Sequence, residues 1–350
     1  MKNTYDFQRF IIKAFIFASP LVIILTVSVL FDPFKVIYDY DEYYKGSFIS
    51  VNREFVCLKL YERNTKTIAY DSFIFGSSRS HAFQVKNWKT YLPPGSKGFH
   101  FDASGEGVYG IFNKIHYIDE TGGALSNALI VVDEDTLTQT KNREGHLSIS
   151  PPRLSKESPI EFYIEFFKPL LNLRFVIGYI DYSLFRTNRD YMEYLFKRAK
   201  YNHISDNSTG DLYYGYEKMI EEDKDGYYNA LKSKGVFYDR SKAERRQQPV
   251  SAAEKELLIK VKKILDKHKT DYRIVVSPAY DQVPLGNDHL QLLNDIFGSR
   301  RIYNYSGENR FTESMYNYYE DNHYRPLVAN EIMREIYRVP KSTAKLQKGK

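Results

Sequence analysis

Three short segments of the chain carry residue types that could perform acyl-transfer chemistry. They are 76–80 (GSSRS), 102–107 (DASGEG) and 320–326 (EDNHYRP). A serine at a helix N-terminus gains the helix dipole and free N–H groups, and a glycine turn can direct an N–H at an oxyanion. A histidine with carboxylates two and three residues before it has a local orienting group for a general base. Together these residue types indicate nucleophilic catalysis.

Strands and helices alternate from about residue 67, and this alternation must position the three segments. Short apolar strands are predicted at 73–75, 98–101, 128–132, 272–276 and 301–305, and helices at 108–118, 251–265, 290–297 and 326–337. An uninterrupted apolar run such as 128–132 is typical of a strand buried on both faces of a parallel sheet. We therefore predict an α/β domain with a parallel sheet between two helical layers. Ligands of such sheets bind beyond the carboxyl ends of the strands, where the first two segments lie.

Each segment also has a purely structural interpretation. Ser77 and Ser78 could be helix N-caps, Gly105 could belong to an ordinary turn, and His323 could be a surface histidine beside acidic neighbours. The order of the segments and their places at strand ends favour the catalytic interpretation.

These segments resemble the SGNH/GDSL hydrolase superfamily, in its membrane-anchored extracytoplasmic branch. The G-x-S block that follows the family's first strand matches 76–78, its oxyanion glycine matches Gly105, and its D-x-x-H block matches 320–323. The resemblance covers about 67–140 and 250–338, together with the N-terminal anchor. It implies a three-layer, flavodoxin-like SGNH fold.

The resemblance also implies a role for each matching residue. Ser78 is the expected nucleophile, His323 the base, and Glu320 the carboxylate that orients it, with Asp321 as the alternative. The oxyanion would be held by the backbone N–H groups of Ser78 and Gly105. No metal or cofactor is expected.

Two features depart from the family pattern. The triad carboxylate is a glutamate rather than an aspartate, and the usual G-x-N block after the third strand is replaced by VDED at 132–135. No asparagine can donate to an oxyanion there, and we expect a carboxylate at that place to repel one. A cation site and a solvated loop are further interpretations of the acidic trio 133–135.

An apolar segment near the N-terminus predicts the location of the protein. Residues 14–31 lack any charge, and a bilayer-spanning helix needs about 20 residues. Basic residues precede the segment and acidic residues follow it, so the positive-inside rule puts the chain beyond about residue 32 outside the cytoplasm. A cleaved signal peptide and a buried helix of a soluble protein are the alternatives. The apolar run is longer than a usual signal-peptide core and no small-x-small site follows it, so we predict an uncleaved signal anchor of a bacterial inner membrane.

The segments define five regions. They are a cytoplasmic N-terminus (1–13), the transmembrane anchor (14–31), a linker and lead-in (32–66), an SGNH-like domain (67–338) with a helical insertion at about 155–247, and a basic tail (339–350). The insertion holds five tyrosines at 213, 214, 216, 227 and 228. They either stack on sugar rings or reflect the high tyrosine content of the whole chain.

Composition excludes several classes of protein. The net charge of +6 is accounted for by 1–13 and 339–350, which leaves the folded region neutral. A nucleic-acid-binding protein would concentrate basic charge on a folded face. A single cysteine, Cys57, permits neither an internal disulfide nor a cysteine zinc site. It lies in an apolar run, which predicts a buried, inert thiol.

The sequence thus predicts a membrane-anchored serine esterase or O-acyltransferase that acts on a carbohydrate or cell-wall polymer, on the periplasmic or extracellular side. One alternative is a non-catalytic scaffold of the same fold that partners a membrane-bound O-acyltransferase. Another is a purely structural envelope protein. Similar anchored proteins assist alginate O-acetylation and teichoic-acid D-alanylation.

Overall fold

A computed structural model describes residues 2–45, 49–187, 189–192, 204–240 and 248–338. The predicted basic tail 339–350 lies outside the described residues. The strands are β1 (Ser72–Gly76), β2 (Gly98–His100), β3 (Asn127–Val132), β4 (Ile204–Asp206), β5 (Asp211–Tyr213), β6 (Asp271–Val276) and β7 (Ile302–Asn304).

Thirteen α-helices occur in the described part of the chain. They are α1 (Lys2–Phe31), α2 (Arg53–Asn64), α3 (Val85–Trp88), α4 (Val108–Glu120), α5 (Glu134–Thr138), α6 (Pro152–Ser155), α7 (Pro159–Phe167), α8 (Leu173–Phe185), α9 (Tyr216–Glu222), α10 (Lys224–Ser233), α11 (Ala252–Lys267), α12 (Asn287–Phe297) and α13 (Pro326–Ile336).

A five-stranded parallel sheet forms the centre of the molecule, in the order β2-β1-β3-β6-β7. Side chains alternate between the two faces of each strand. Phe73 and Phe75 of β1 join an apolar core that includes residues of α4 and α11, whereas Ile74 joins a second core that includes residues of α13. Both faces are therefore covered by helices, and the predicted α/β architecture with a parallel sheet is confirmed.

The strand boundaries follow from the apolar runs, and the helix boundaries follow from capping. Ser251 accepts a hydrogen bond from the backbone N–H of Glu254, whose side chain returns to the Ser251 backbone, so α11 begins with the predicted capping box. Its buried leucines, valine and isoleucine form one stripe against the sheet. Pro326 begins α13 as predicted.

Two elements were not anticipated from the sequence. The lead-in segment contains α2, most of whose side chains are buried in the core. The insertion contains an antiparallel β4–β5 pair besides its helices. This pair is fixed to the sheet by Asp211, which accepts hydrogen bonds from the Val85 N–H at 2.9 Å and contacts His100 Nδ1 at 3.0 Å. Both elements are also held by buried polar contacts between residues far apart in the chain, which a local sequence pattern does not reveal.

Most of the N-terminal helix lies outside both cores, and Ile24 near its end is buried in the first of them. Asp6–Phe31 has a mean hydropathy of 2.5 over its most apolar window, of which 6% is buried. The helix is thus apolar and long enough to cross a membrane while making little contact with the rest of the chain. Such exposure disfavours the alternative of a core helix.

Candidate active site

The structure brings Ser78, His323 and Glu320 together at the carboxyl end of the sheet. Ser78 Oγ lies 2.8 Å from His323 Nε2. On the other side of the ring, His323 Nδ1 contacts the Glu320 carboxylate. With Nδ1–H donating to that carboxylate, Nε2 is the acceptor for the serine proton. The three groups therefore form a continuous serine–histidine–carboxylate chain.

The backbone after β1 presents Ser78. Gly76 ends the strand at a φ of +153°, and a Cβ at this position would lie 2.7 Å from the carbonyl oxygen of Val131. Glycine is thus required for the turn. Ser77 is the N-cap of the 3₁₀ helix Ser78–Ala82. The catalytic interpretation of Ser78 and the capping interpretation of Ser77 are therefore compatible, because adjacent serines fill the two places.

A tight loop before α13 holds the histidine and the carboxylate. Tyr318 and Tyr324 form an isolated antiparallel bridge, and the Tyr319 N–H donates to the His323 carbonyl at 2.8 Å. The backbone closes into a hairpin-like turn whose tip is 320–323. Its geometry allows two side chains three residues apart to meet.

The two candidate carboxylates differ in their partners. Glu320 contacts His323 Nδ1 and also accepts from the Asn322 N–H at 2.9 Å. Burial alone would raise the pKa of Glu320, but the hydrogen bond and charge of His323 lower it below its ordinary value. The pKa of Asp321 is raised, mainly by burial and then by Glu320. Glu320 is therefore the ionised partner of the imidazole.

Gly105 lies in the turn between β2 and α4. Its φ is +60°, and a Cβ would meet Arg143 Nη1 at 2.2 Å. The guanidinium donates instead to the Gly105 carbonyl at 2.6 Å. In the part of the chain that the structure describes, the N–H groups of Ser78 and Gly105 donate to no protein acceptor. Both remain available to a developing negative charge.

Asp133, the first carboxylate of the acidic segment after β3, has a counter-charge, which reduces the expected repulsion. Asp133 forms an ion pair with Arg79, and both side chains are largely buried. Burial would raise the pKa of Asp133, but Arg79 and the N–H of Thr136 lower it. Asp133 also caps α5 by accepting from the Thr136 N–H at 2.8 Å. Arg79, one residue after Ser78, lines the same pocket and was missed by sequence reasoning, although its charge opposite an acidic strand end was a readable signal.

Ser78 and His323 line a pocket of about 490 Å³. Most of its lining is polar and comes from the segments after β1 and β2, from α5 and the residues around it, and from the 320–326 loop. Glu106 lies at its base, where burial raises the pKa to about 7 against the opposing charge of Lys114. Lys114 also contacts Glu54 Oε1 of α2 at 2.5 Å. The wall beside Gly105 is thus supported by a buried ion network that includes the lead-in helix.

A second polar network packs behind the histidine. Asp102 pairs with Arg53 and contacts His81 Nε2 at 2.6 Å. Burial lowers the pKa of His81 to about 4 despite Asp102, so the ring is neutral and its Nδ1 accepts from the Tyr214 hydroxyl at 3.1 Å. The Tyr214 ring packs against the His323 ring, with centroids 5.4 Å apart. The network therefore supports the position of the His323 ring through Tyr214.

The tyrosines of the insertion pack within the protein. Tyr214 and Tyr216 contact Tyr319, with ring centroids 5.9 Å and 5.0 Å apart. Tyr228 is 1% exposed. Among the described residues that line the pocket there is no tyrosine. The structure therefore favours packing over sugar stacking at this site.

A second serine–histidine–carboxylate set lies close by but is sealed. Ser80 Oγ is 2.9 Å from His100 Nε2, and His100 Nδ1 is 3.0 Å from Asp211 Oδ1. Ser80 and His100 are both fully buried. Ser80 Oγ also lies 2.7 Å from the Ser77 carbonyl oxygen, and burial closes the whole set to a substrate. This set braces the turn that presents Ser78.

Cys57 is buried as predicted. Burial raises the pKa of its thiol, which keeps it protonated and unreactive. In the described ranges, no group of three or more His, Cys, Asp or Glu side chains could hold a metal ion.

No protein-family model matches the chain, and no curated protein shows significant sequence similarity to it. The function must therefore be argued from the geometry of the site.

Proposed function

We propose that the chain is a membrane-anchored serine esterase or O-acyltransferase of the SGNH type, with Ser78 as nucleophile and a cell-envelope polysaccharide as substrate. The observation that carries the proposal is the 2.8 Å contact between Ser78 Oγ and His323 Nε2, with Glu320 on Nδ1. Three further features favour catalysis over a purely structural role for this serine. They are the open pocket, the ionised carboxylate on the far side of the imidazole and the two backbone N–H groups without a protein acceptor.

The reaction follows from these contacts. Ser78 Oγ attacks the carbonyl carbon of an acyl ester while His323 Nε2 takes its proton, and Glu320 stabilises the imidazolium. The carbonyl oxygen becomes an oxyanion beside the N–H groups of Ser78 and Gly105. Collapse breaks the bond to the leaving alcohol, which receives the proton from His323. Attack by water on the acyl-enzyme then completes hydrolysis, and attack by a sugar hydroxyl completes transfer.

The anchor supports an extracytoplasmic site. The 26-residue span Asp6–Phe31 is about 39 Å long at 1.5 Å per residue, and a bilayer core is about 30 Å thick. With Lys2, Arg9 and Lys13 in or beside its first turns, the positive-inside rule orients the domain away from the cytoplasm. A fused alkaline phosphatase at the C-terminus would then be active, and a cytoplasmic reporter would be silent.

Labelling by a fluorophosphonate probe tests the nucleophile. We expect the full-length protein in detergent or vesicles to be labelled, and Ser78→Ala to abolish labelling. Ser299→Ala is the matched control, because Ser299 is exposed at the opposite edge of the sheet, just before β7. Unchanged labelling of Ser78→Ala would contradict the assignment.

The same variants separate an enzyme from a scaffold. If the wild-type protein is not labelled and hydrolyses no acetyl ester, and if Ser78→Ala still supports polymer modification in cells, the non-catalytic scaffold replaces our proposal. Loss of modification with Ser78→Ala but not with Ser299→Ala supports catalysis.

A further inference from the structure

An exposed apolar face lies on α7, α8 and the 3₁₀ turn between them. On α7, Ile160 is 72% exposed, and on α8, Ile177 is 59% exposed. Further large apolar side chains of the same hairpin are exposed: Tyr163, Ile164, Leu171, Leu173, Leu184 and Phe185. Apolar surface gathered in this way on one supersecondary unit marks a contact with a partner or a membrane.

The α7–α8 hairpin is fastened to the outer end of α1. Phe34, three residues beyond the helix, stacks on Phe175 of α8 at 5.7 Å and packs edge-on against Phe166 of α7 at the same distance. The Tyr179 hydroxyl of α8 donates to the carbonyl of Phe31 at 3.3 Å. Wherever the outer end of α1 is placed, the hairpin is placed with it.

A groove of about 440 Å³ lies between the end of α1 and α7. Its lining is almost wholly apolar and includes Leu25 and Val29 from the last turns of α1 and Ile160 and Ile164 from α7. The apolar surface of α1 therefore continues into that of the hairpin. An acyl chain lying beside α1 would meet this groove.

Aromatic and basic side chains mark the border of this surface. Tyr163, Tyr179 and Tyr182 lie on the two helices, and Lys168 and Arg174 lie where the helices meet. Amphipathic aromatic rings are enriched at the headgroup level of membranes, and helices that lie in the interface combine an apolar face with basic residues. Lys168 is paired with Glu165, so the aromatic rings and the continuity of this surface with α1 are what favour lipid as the occupant.

We propose that the α7–α8 hairpin is a second membrane contact, which lies in the outer headgroup layer with its exposed face in lipid and acyl chains in the groove. The inference rests on the anchor of the proposed function. It adds that the domain is held against the membrane rather than tethered loosely above it.

This contact brings the pocket close to the lipid surface. The Arg143 guanidinium donates to the Gly105 carbonyl. Two residues later in the chain, the Gly145 N–H donates to Glu165 of α7 at 2.7 Å. His146 then packs on Phe34, with ring centroids 4.8 Å apart. Three residues of chain span at most about 11 Å. The acyl donor is therefore expected to be a molecule presented at the membrane surface.

Fluorescence quenching in vesicles tests the contact. Single cysteines at Ile177 of the hairpin, Ile23 of α1 and Ile259 of α11 can carry an environment-sensitive maleimide dye, because the native Cys57 is 0% exposed. All three positions are exposed isoleucines, and Ile259 is the matched control on a remote helix. The full-length protein is reconstituted in phosphatidylethanolamine–phosphatidylglycerol vesicles that contain lipids with nitroxide quenchers near the headgroup.

We expect the dye at Ile177 to be quenched several-fold more than the dye at Ile259, and its emission to be shifted to the blue. If the Ile23 dye is quenched by lipids with deep nitroxides while Ile177 behaves like Ile259, the anchor stands and the hairpin contact is refuted. A blue shift at Ile177 without lipid quenching would mean that protein covers the face, which also refutes it. Failure of the protein to float with the vesicles overturns both the anchor and the contact.

Discussion

Breaking the ion pair between Arg79 and Asp133 tests how the site accommodates a carboxylate close to Ser78, the proposed nucleophile. The perturbation is Arg79→Met, which keeps most of the apolar stem and removes the charge. Asp133 would keep its hydrogen bonds from the Thr136 N–H and Oγ1, at 2.8 Å and 3.1 Å. It would therefore remain an anion at neutral pH, but one without a counter-charge.

The burial of the two side chains determines how much the substitution should lower the free energy of unfolding. The side chains of Arg79 and Asp133 are 13% and 10% exposed. Breaking a fully buried pair costs about 3–5 kcal/mol, whereas an exposed pair is worth about 0–1 kcal/mol. We expect the free energy of unfolding to fall by about 2–3 kcal/mol. An uncompensated carboxylate in the pocket lining should repel the developing oxyanion. We expect the rate to fall by at least about tenfold, which corresponds to about 1.4 kcal/mol.

Asp133→Asn and the double variant Arg79→Met/Asp133→Asn complete a double-mutant cycle with Arg79→Met. An asparagine can still cap Thr136, and it carries no charge. We expect the double variant to recover at least about tenfold of the rate lost by Arg79→Met, since each 1.4 kcal/mol is tenfold. Fluorophosphonate labelling rates and urea unfolding measure the two quantities.

The pH dependence gives a further check. Arg79 holds the pKa of Asp133 below its ordinary value, so its stabilisation is present above about pH 4, the unfolded pKa, and is lost as the pH falls. Without Arg79 that pKa rises, and the rate relative to wild type should improve as the pH is lowered. A double variant as slow as Arg79→Met would refute the electrostatic account, because the loss would then come from packing.

Two further predictions concern the carboxylates behind the histidines. Glu320→Gln should lower the labelling rate by about 10³–10⁴-fold, because an amide can hold the imidazole in the wrong tautomer; Asp321→Asn is the control, and an equal loss there would contradict the assignment. Asp211→Ala should lower the free energy of unfolding by about 3–5 kcal/mol, because it strips His100 and the Val85 N–H of a buried partner; urea unfolding measures it, and a change below about 1 kcal/mol would refute the bracing role.

The sheet could be predicted from the sequence because its signals are local. The runs at 73–75, 128–132 and 272–276 are apolar and bounded by turn residues, so length and composition alone define them. The glycine turn and the order of the three segments then placed the serine and the histidine at one edge. These statements need only the general geometry of parallel sheets.

The elements that were missed depend on long-range polar contacts. α2 is buried although its sequence includes Arg53 and Glu54, because Arg53 finds Asp102 and Glu54 finds Lys114 far along the chain. Charged residues at the start of a helix predict a solvent-exposed helix unless their buried partners are known. The neutralisation of Asp133 was missed for the same reason.

The two serine–histidine–carboxylate sets of this chain show why residue types alone do not define a nucleophile. Both sets have hydrogen-bonding distances that suit a triad. Ser78 lines a pocket, whereas Ser80 and His100 are fully buried. Access of the hydroxyl to an acyl carbon separates catalysis from structure. Labelling that persists at Ser80 in Ser78→Ala would therefore overturn the distinction as well as the assignment.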